Sequence, residues 1–478
     1  MGDMNDLLLG PIIGGLAHDR AYLWGRASGS GVLHAWLGCQ SDLSDARLVA
    51  RSLVLDEADG FAGVAPLTDL QPDTQYYYSL GLSSTPPNPS NGPYPSFTTA
   101  PSPGVRSPFT FAFGSCFLPK SEAGGTIFSA IDGMRQSEHL RFILLLGDQI
   151  YADDRKFNGI GKVACSLEDY RDVYAYTWSR PPFRRLLTHL PAYMTLDDHE
   201  VDDDWCWRDD SRLWAQIPWW DQFSRWLGGC SEAERSIPLR RVQDALQAYW
   251  EHQGMHSPGF ELPPALTPSG QYELLPTDPG SLAYTFCFGA SAFFVLDTRS
   301  MRVRTRNERT MLGEGQWTAL KSWLLQVKDV YPVKFLVTSC SMLHPMWHDI
   351  PRDRWSGYPD ERDRLLHFLA ANDIRGVYLL AGDLHSAHAV YAELYGPQGR
   401  TLPVWEFCST PFEQEPNRLG RYTYTRLRSG PVRTSYRAFS VHEANFGVVR
   451  VSYPSGSKPQ VFFEVYGEKG ERLGEVEG

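Results

Sequence analysis

The sequence predicts a mixed α/β protein with a small all-β domain in front, and three observations carry the prediction. Strands of unbroken hydrophobicity alternate with helices over most of the chain, the pattern of a sheet covered on both faces. From Leu9 to Thr99 every signal is β, with no helical periodicity. The last strands have no long helices between them, so part of the sheet is expected to run antiparallel. At 478 residues the chain exceeds one ordinary core. The expected division is residues 1–105 and residues 106–478.

In the first part, AYLWGRA, GVLHAWLGC, ARLVARSLVL, FAGVAPL and TQYYYSLGL are short alternating or aromatic-rich runs. Gly, Ser and Asp turns separate them, and Pro72 and Asp73 stop one strand before the next begins. They read as a small β-sandwich. SSTPPNPSNGPYP and TTAPSPGVRSP then punctuate the chain as a linker. Beyond it, FTFAFGSC reads as a strand, TIFSAIDGMRQS as a helix and RFILLLGD as a strand. LEDYRDVYAYTW and PPFRRLLTHL are helical, AYMTLDDHE closes a strand, and RVQDALQAYWEHQ is helical again. LAYTFCFG and AFFVLDTRS are strands. The helices GQWTALKSWLLQVKD and ERDRLLHFLAAND lead into the strands VKFLVTSC and GVYLLAGDLH, and PVWEFCS, FGVVRVSY and QVFFEVYG complete the sheet.

Composition narrows the function classes. A net charge of −11 argues against a protein held to a nucleic-acid backbone by charge. The basic runs RPPFRR (Arg180–Arg185) and RVRTRNER (Arg302–Arg309) read as solvated faces, with anion guidance as the alternative. Eight scattered cysteines without a CxxC pair exclude a zinc finger. No apolar run reaches the length of a membrane span. MGDMNDLLLGPIIGG lacks the layout of an export signal. The expected location is cytoplasmic if that terminus is native, and periplasmic or secreted if a signal has been removed. Oligomeric state is not legible.

The chemistry sits where strands end, the place where open α/β sheets build their sites. FTFAFGS delivers Cys116; RFILLLG delivers Asp148 and Tyr151; AYMTL delivers Asp197, Asp198, His199 and Glu200; GVYLLAG delivers Asp383 and His385, with Gly382 easing the turn. Singly, each has a bland reading as a turn, an acidic loop or a core thiol. Four such endings on strands of one sheet instead form a candidate metal site. Thiolate and phenolate together suit a ferric ion. Aspartates with few soft donors suit a hard ion such as Ca²⁺, Mg²⁺ or Mn²⁺. A carboxylate such as Asp148 can bridge two ions, and two ions can activate water for phosphoester hydrolysis.

GSC, GDQIYAD, LDDHEV, LDTRS, WSGYPDERDRLL and LLAGDLH together resemble the alkaline phosphatase D (PhoD-like) family of metallophosphoesterases, related to purple acid phosphatases. The resemblance runs from the N-terminal β-domain nearly to the C-terminus. It implies a four-layer α/β/β/α metallophosphatase sandwich behind an immunoglobulin-like β-sandwich. It implies an iron ion (Fe³⁺) on Cys116, Asp148, Tyr151 and His385. A second ion, Ca²⁺ or else Mg²⁺, Mn²⁺ or Zn²⁺, would share Asp148 and take Asp383 and a residue of DDHE, Asp198 before Asp203 or Asp204. His199 matches the phosphate-contacting histidine, and Arg299 of LDTRS is carried over as substrate-binding. The expected activity is hydrolysis of phosphomonoesters, phosphodiesters or both, by a metal-bound hydroxide. The alternatives are a phospholipase D-like phosphodiesterase acting on a lipid phosphoester, or a non-catalytic module that retains metal.

The chain departs from the family at Asp202, Asp203 and Asp204, where asparagines are common; these aspartates either bind cation or face away. Asp202 is expected to lie outside the ligand set, so that its replacement costs little. His344 of SMLHPMWH is the only counterpart offered for a further histidine ligand. Six tryptophans between Asp202 and Trp226 read equally as an aromatic wall over the site or as a packed helical hairpin.

Overall fold

The computed structural model describes residues 7–209, 223, 225–259, 265–268, 270–273, 280–345, 353–418 and 420–478. Most of the tryptophan-rich segment lies outside them. Of its tryptophans, Trp205 and Trp207 are buried and Trp226 is exposed.

Seven strands ending at Thr98 form two sheets of their own. Leu7–Gly14, Ala21–Ala27 and Ala62–Leu67 make one; Arg47–Leu55, Gly31–Gly38, Gln75–Gly81 and Ser96–Thr98 make the other, each in that spatial order. The sequence reading lacks the strand Leu7–Gly14. Pro11 stands in its middle, and proline is tolerated there because this is an edge strand.

Apart from the short strands Arg208–Asp209, Val303–Arg304 and Arg309–Thr310, which form a small sheet of their own, the remaining strands build two large sheets. The first runs Ala192–Thr195, Leu140–Leu146, Phe109–Gly114, Asn445–Ser452, Gln460–Gly467 and Arg472–Glu477. The second runs Tyr284–Phe288, Ser291–Val295, Val333–Cys340, Val377–Gly382, Thr401–Cys408, Ala387–Tyr395 and Val432–Val441. Each has a parallel core with antiparallel strands at its margin. Alternate residues explain the burial. Phe111, Phe142, Phe293, Phe335, Phe407 and Phe463 point into one shared apolar cluster between the two sheets. Phe111 stacks on Phe142 at 4.8 Å and Phe293 on Phe335 at 4.7 Å. The intervening Ala112, Ile143 and Leu145 pack on the helices Thr126–Ser137, Leu167–Trp178, Pro181–His189 and Leu239–His252. Leu336, Leu379 and Val404 pack on the helices Gly313–Val327 and Pro359–Ala371. A strand buried on both faces looks the same in sequence whether a helix or a second sheet covers it.

The front sheets are bonded to this body. Their interior residues Ile13, Leu23 and Tyr78 belong to the same continuous cluster as Phe111 and Phe335. The Trp24 indole donates to Glu251 O at 2.8 Å, and Arg171 donates to Glu251 at 2.8 and 2.6 Å and to Ala58 O at 2.8 Å. The basic runs are solvated only in part: Arg185, Arg306 and Arg309 are exposed, and the others turn inward. Arg184 donates to Gly10 O and Leu7 O, and Arg302 and Arg304 are buried on Asp353 and Asp209. No disulfide joins any of the eight cysteines, and among the described residues no helix is long and apolar enough to cross a membrane.

Arg171→Met would strand the Glu251 carboxylate, which is fully buried. Breaking such a pair costs about 3–5 kcal/mol, so chemical denaturation should show a loss on that scale. A loss below about 1 kcal/mol, the range of exposed pairs, would mean that this contact does not bind the front sheets to the body.

Candidate metal centre

Four loops at the carboxyl ends of the strands converge, three from the first large sheet and one from the second. Three of them share an unusual backbone. Cys116, Asp148, Asp383 and His385 have φ of 64°, 53°, 67° and 50°, left-handed values that non-glycine residues rarely adopt. Such strain persists where the surroundings over-determine it. Gly382 does not supply the turn, since its φ is not positive. A side chain there would collide with Ser115, whose hydroxyl accepts from Asp383 N at 3.2 Å. Gly147 likewise leaves room for Asp197.

Glu200 holds two of the loops together. Fully buried, its carboxylate accepts from the backbone N–H of Asp148 (3.1 Å), Gln149 (2.8 Å) and Asp197 (2.8 Å), and from Gln253 Nε2 (3.2 Å). On that frame the Cys116 thiol and the Tyr151 hydroxyl each lie 3.3 Å from Asp148 Oδ2, and His385 Nε2 lies 3.3 Å from Tyr151 Oη. Ser115 and Thr410 stand 3.2 and 3.0 Å from the Cys116 sulfur. Among the described residues, three groups of ligand atoms fall within 4.8 Å: Cys116, Asp148 and His385; Asp148, Asp198 and His199; Asp198, Asp203 and Asp204. Asp148 therefore lies where two groups meet.

His199 is braced by Asp153, whose Oδ1 lies 2.7 Å from Nδ1, and by the Tyr151 ring 4.1 Å away. Its Nε2 is 3.8 Å from Asp203 Oδ1. Asp383 lies outside the three groups, and its Oδ2 accepts from Arg354 at 2.9 Å. His344 also lies outside them, stacked on His388 at 4.0 Å. Arg299 is wholly buried. It donates to Asp197, to Trp205 O at 3.0 Å and bidentately to Asp353 at 2.6 and 2.9 Å, and it pairs with Asp198 at 3.3 Å. That placement orders carboxylates and leaves the guanidinium no open side for a substrate. Asp202 is also buried, gripped by Arg225 at 2.6 and 2.9 Å and by Arg241 at 2.6 Å. It faces away from the donors as expected, but replacing it would strand two guanidinium groups, so the expectation of a cheap substitution does not hold.

Asp153, Asp353 and Thr410 have no sequence signal that marks them as contributors to the site, and Glu200, one of the strand-end donors, serves as a clamp on backbone amides. Asp153 sits in the quoted IYADD and Glu200 in DDHE, but no local pattern reports which distant group each meets.

The donors are acidic groups in a dry place. Burial pushes the Asp148 and Asp198 carboxyls well above the usual range, with Asp197 adding repulsion to both. Burial raises Asp383 to about 6 and, helped by Asp148, raises the Cys116 thiol and the Tyr151 phenol. It lowers His385 to about 3. Burial also opposes charge on His199, yet Asp153, Asp198 and Asp148 together hold its imidazole above the ordinary value. Asp197 Oδ2 is buried without a hydrogen-bond partner. A cation would offset each of these costs at once, and thiol, phenol, imidazole and carboxylates converging this closely fit one.

Comparison with known proteins places this geometry. A model of the PhoD-like phosphatase family matches residues 111–455. Alkaline phosphatase D of Bacillus subtilis (strain 168) is similar at 27% identity over 368 residues, 70% of this chain and 53% of that protein. The matched region thus spans about half the length of that curated relative. A solved structure of PhoD superposes with a TM-score of 0.66 at 20% identity, covering 100% of this chain and 93% of the other. Purple acid phosphatase PPD1 from yellow lupin (Lupinus luteus) seeds superposes with a TM-score of 0.57 at 12% identity, covering 98% and 73%. These two structures share the fold.

Chelation should expose a pH dependence. Burial holds Asp148, Asp198 and Asp383 above the ordinary aspartate value, Asp383 at about 6, and the neighbouring carboxylates hold His199 above that of a free imidazole, so these groups release protons at higher pH folded than unfolded. The folded state then binds more protons than the unfolded one, so stability falls as pH rises. The Tm of chelated protein is expected to drop between about pH 5 and about pH 7, the span around the Asp383 value of about 6, and that of metal-loaded protein to stay nearly level. Equal slopes for the two forms would show that the cluster holds no cation.

Proposed function

The chain belongs to the PhoD-like phosphatase family, and from that premise we propose that it is a metal-dependent phosphohydrolase acting on phosphomonoesters, phosphodiesters or both. The observation that carries the reading is the meeting of Cys116, Tyr151 and His385 with Asp148, which is itself shared with Asp198 and His199. The first group would hold the iron-type ion. Asp148 and Asp198, with Asp203 or Asp204 beyond them, would hold the hard divalent ion, with Asp383 a ligand once released from Arg354. Such ions, when bound, supply Lewis acidity toward phosphoryl oxygens and a water acidified enough to attack at neutral pH.

The protein's own groups do the rest. With Asp153 on its Nδ1, His199 keeps Nε2–H for the substrate, where it donates to a phosphoryl oxygen or protonates the leaving oxygen. The Tyr151 ring fixes its plane. Glu200 and Arg299 keep the carboxylate loops in register. We assign the finer architecture as the four-layer α/β/β/α sandwich with an immunoglobulin-like module in front, supported by the helix, sheet, sheet, helix order of the apolar clusters. No observation favours a lipid substrate over a small one. Comparing kcat/KM for a lipid diester and a small monoester decides between them.

His199→Ala is expected to keep its metal content and to lose roughly 10²–10³-fold in kcat, the scale for one transition-state donor. Asp148→Ala should lose metal and phosphate release together. Loss of a full metal equivalent in His199→Ala would make the imidazole a ligand instead.

Iron bound by a thiolate and a phenolate should give a visible charge-transfer band. Cys116→Ala is expected to change that band and to weaken iron retention. An iron-loaded but colourless protein would contradict the ligand assignment.

A further inference from the structure

The two large sheets leave a second opening, at the end of the strands opposite to the metal centre. Val333–Cys340 and Val377–Gly382 begin there, Gln460–Gly467 starts beside them, and eight residues of strand put it ~25 Å from the catalytic edge. A cavity of about 410 Å³ lies in this opening, within the ~300–1,000 Å³ typical of small-ligand sites.

Its lining side chains carry one sign of charge. Lys328, Lys334, Arg375 and Lys458 contribute cations, Tyr378 and Trp405 contribute rings, and no aspartate or glutamate side chain lines it, although the last residue of the sequence, Gly478, lies against Tyr378 and Glu477 acts on that ring from nearby. That bias is unexpected in a chain of net charge −11. Arg375 shares Asp373 at 2.7 Å, which only partly offsets it. Lys334 is the informative member. It is 1% exposed, and its ammonium donates to two carbonyls, Tyr331 O and Arg375 O. Among the described residues no carboxylate pairs with it, although Asp329 acts on it from further away. A buried cation held only by neutral dipoles is costly unless an anion arrives. The rings give an apolar wall on which a planar body can lie.

We propose that this cavity is a second, non-catalytic binding site for a small aromatic anion, its ring against Tyr378 and Trp405 and its charged group against Lys334 and the cationic rim. The proposal is independent of the reading of the metal centre.

Isothermal titration with naphthalene-2-sulfonate, which carries no phosphoester to hydrolyse, tests it. One site per chain is expected. Naphthalene-2-methanol lacks the charge and methanesulfonate lacks the ring, so each should bind at least ~10-fold more weakly, the loss of one charge-assisted contact or of one buried ring. Lys334→Met should weaken the sulfonate ~10–100-fold on the same scale. Lys458→Glu changes an exposed side chain and should weaken it in the same direction, which keeps the test open if Lys334→Met does not fold. No binding by the wild-type chain, equal binding of the neutral alcohol, or an affinity unchanged in Lys458→Glu would each overturn the proposal.

Discussion

Everything at the metal centre depends on one buried carboxylate. Glu200 has no exposure and no cation beside it; four N–H donors converge on it instead, three of them backbone amides of the loops that carry Asp148 and Asp197. Charge-assisted bonds of this kind are stronger than neutral ones and directional. They close the two loops onto each other and so set the distance between Asp148 and Asp198. Gln253 extends the clamp to the end of the helix Leu239–His252, the helix that also bears Glu251 and its bonds to the front sheets. This helix therefore links the front sheets to the candidate ligand loops through hydrogen bonds at its end.

A second constraint explains why the site is so acidic and yet folds. Carboxylates crowded in a dry cleft repel one another and resist ionisation. The arginines nearby are spent behind the donors rather than among them: Arg299 on Asp197, Asp198 and Asp353, and Arg225 and Arg241 on Asp202. Outer charge is thus neutralised by protein, while Asp148, the Cys116 thiol and Tyr151 face inward with no guanidinium among them. The left-handed backbone at Cys116, Asp148, Asp383 and His385 belongs to the same arrangement, since a sharp reversal just after each strand aims these side chains across the joint.

The two-sheet body gives the molecule a candidate site at one end and a cavity at the other. Parallel strands align their carboxyl ends at one edge, where the loops converge on the candidate ligands. At the opposite edge the same sheets splay around Tyr378 and Trp405, whose rings close one end of the core that Phe111 and Phe335 fill further in.

What the sequence determined by itself was local: which segments are strands, what each delivers at its end, and that thiol, phenol, imidazole and carboxylates in those positions suit metal ions. An unbroken apolar run ending in a polar donor is written in adjacent residues, so Cys116, Asp148, Tyr151, Asp198, His199, Asp383 and His385 could be named from it. What only the tertiary structure decided was partnership. Hydrophobicity on both faces of a strand says that it is covered, not whether a helix or a second sheet does the covering, so the residue pattern alone did not separate the two large sheets that the family resemblance implied. Ala387–Tyr395, rich in helix-favouring residues, is a strand because Thr401–Cys408 and Val432–Val441 flank it. Arg299 looked available to a substrate until three aspartates enclosed it, and Asp202 looked dispensable until two arginines did. The pairing of Asp153 with His199 and the clamp of Glu200 join residues whose neighbours in sequence carry no trace of the contact. Their energies arise only when the loops are folded together and water is excluded.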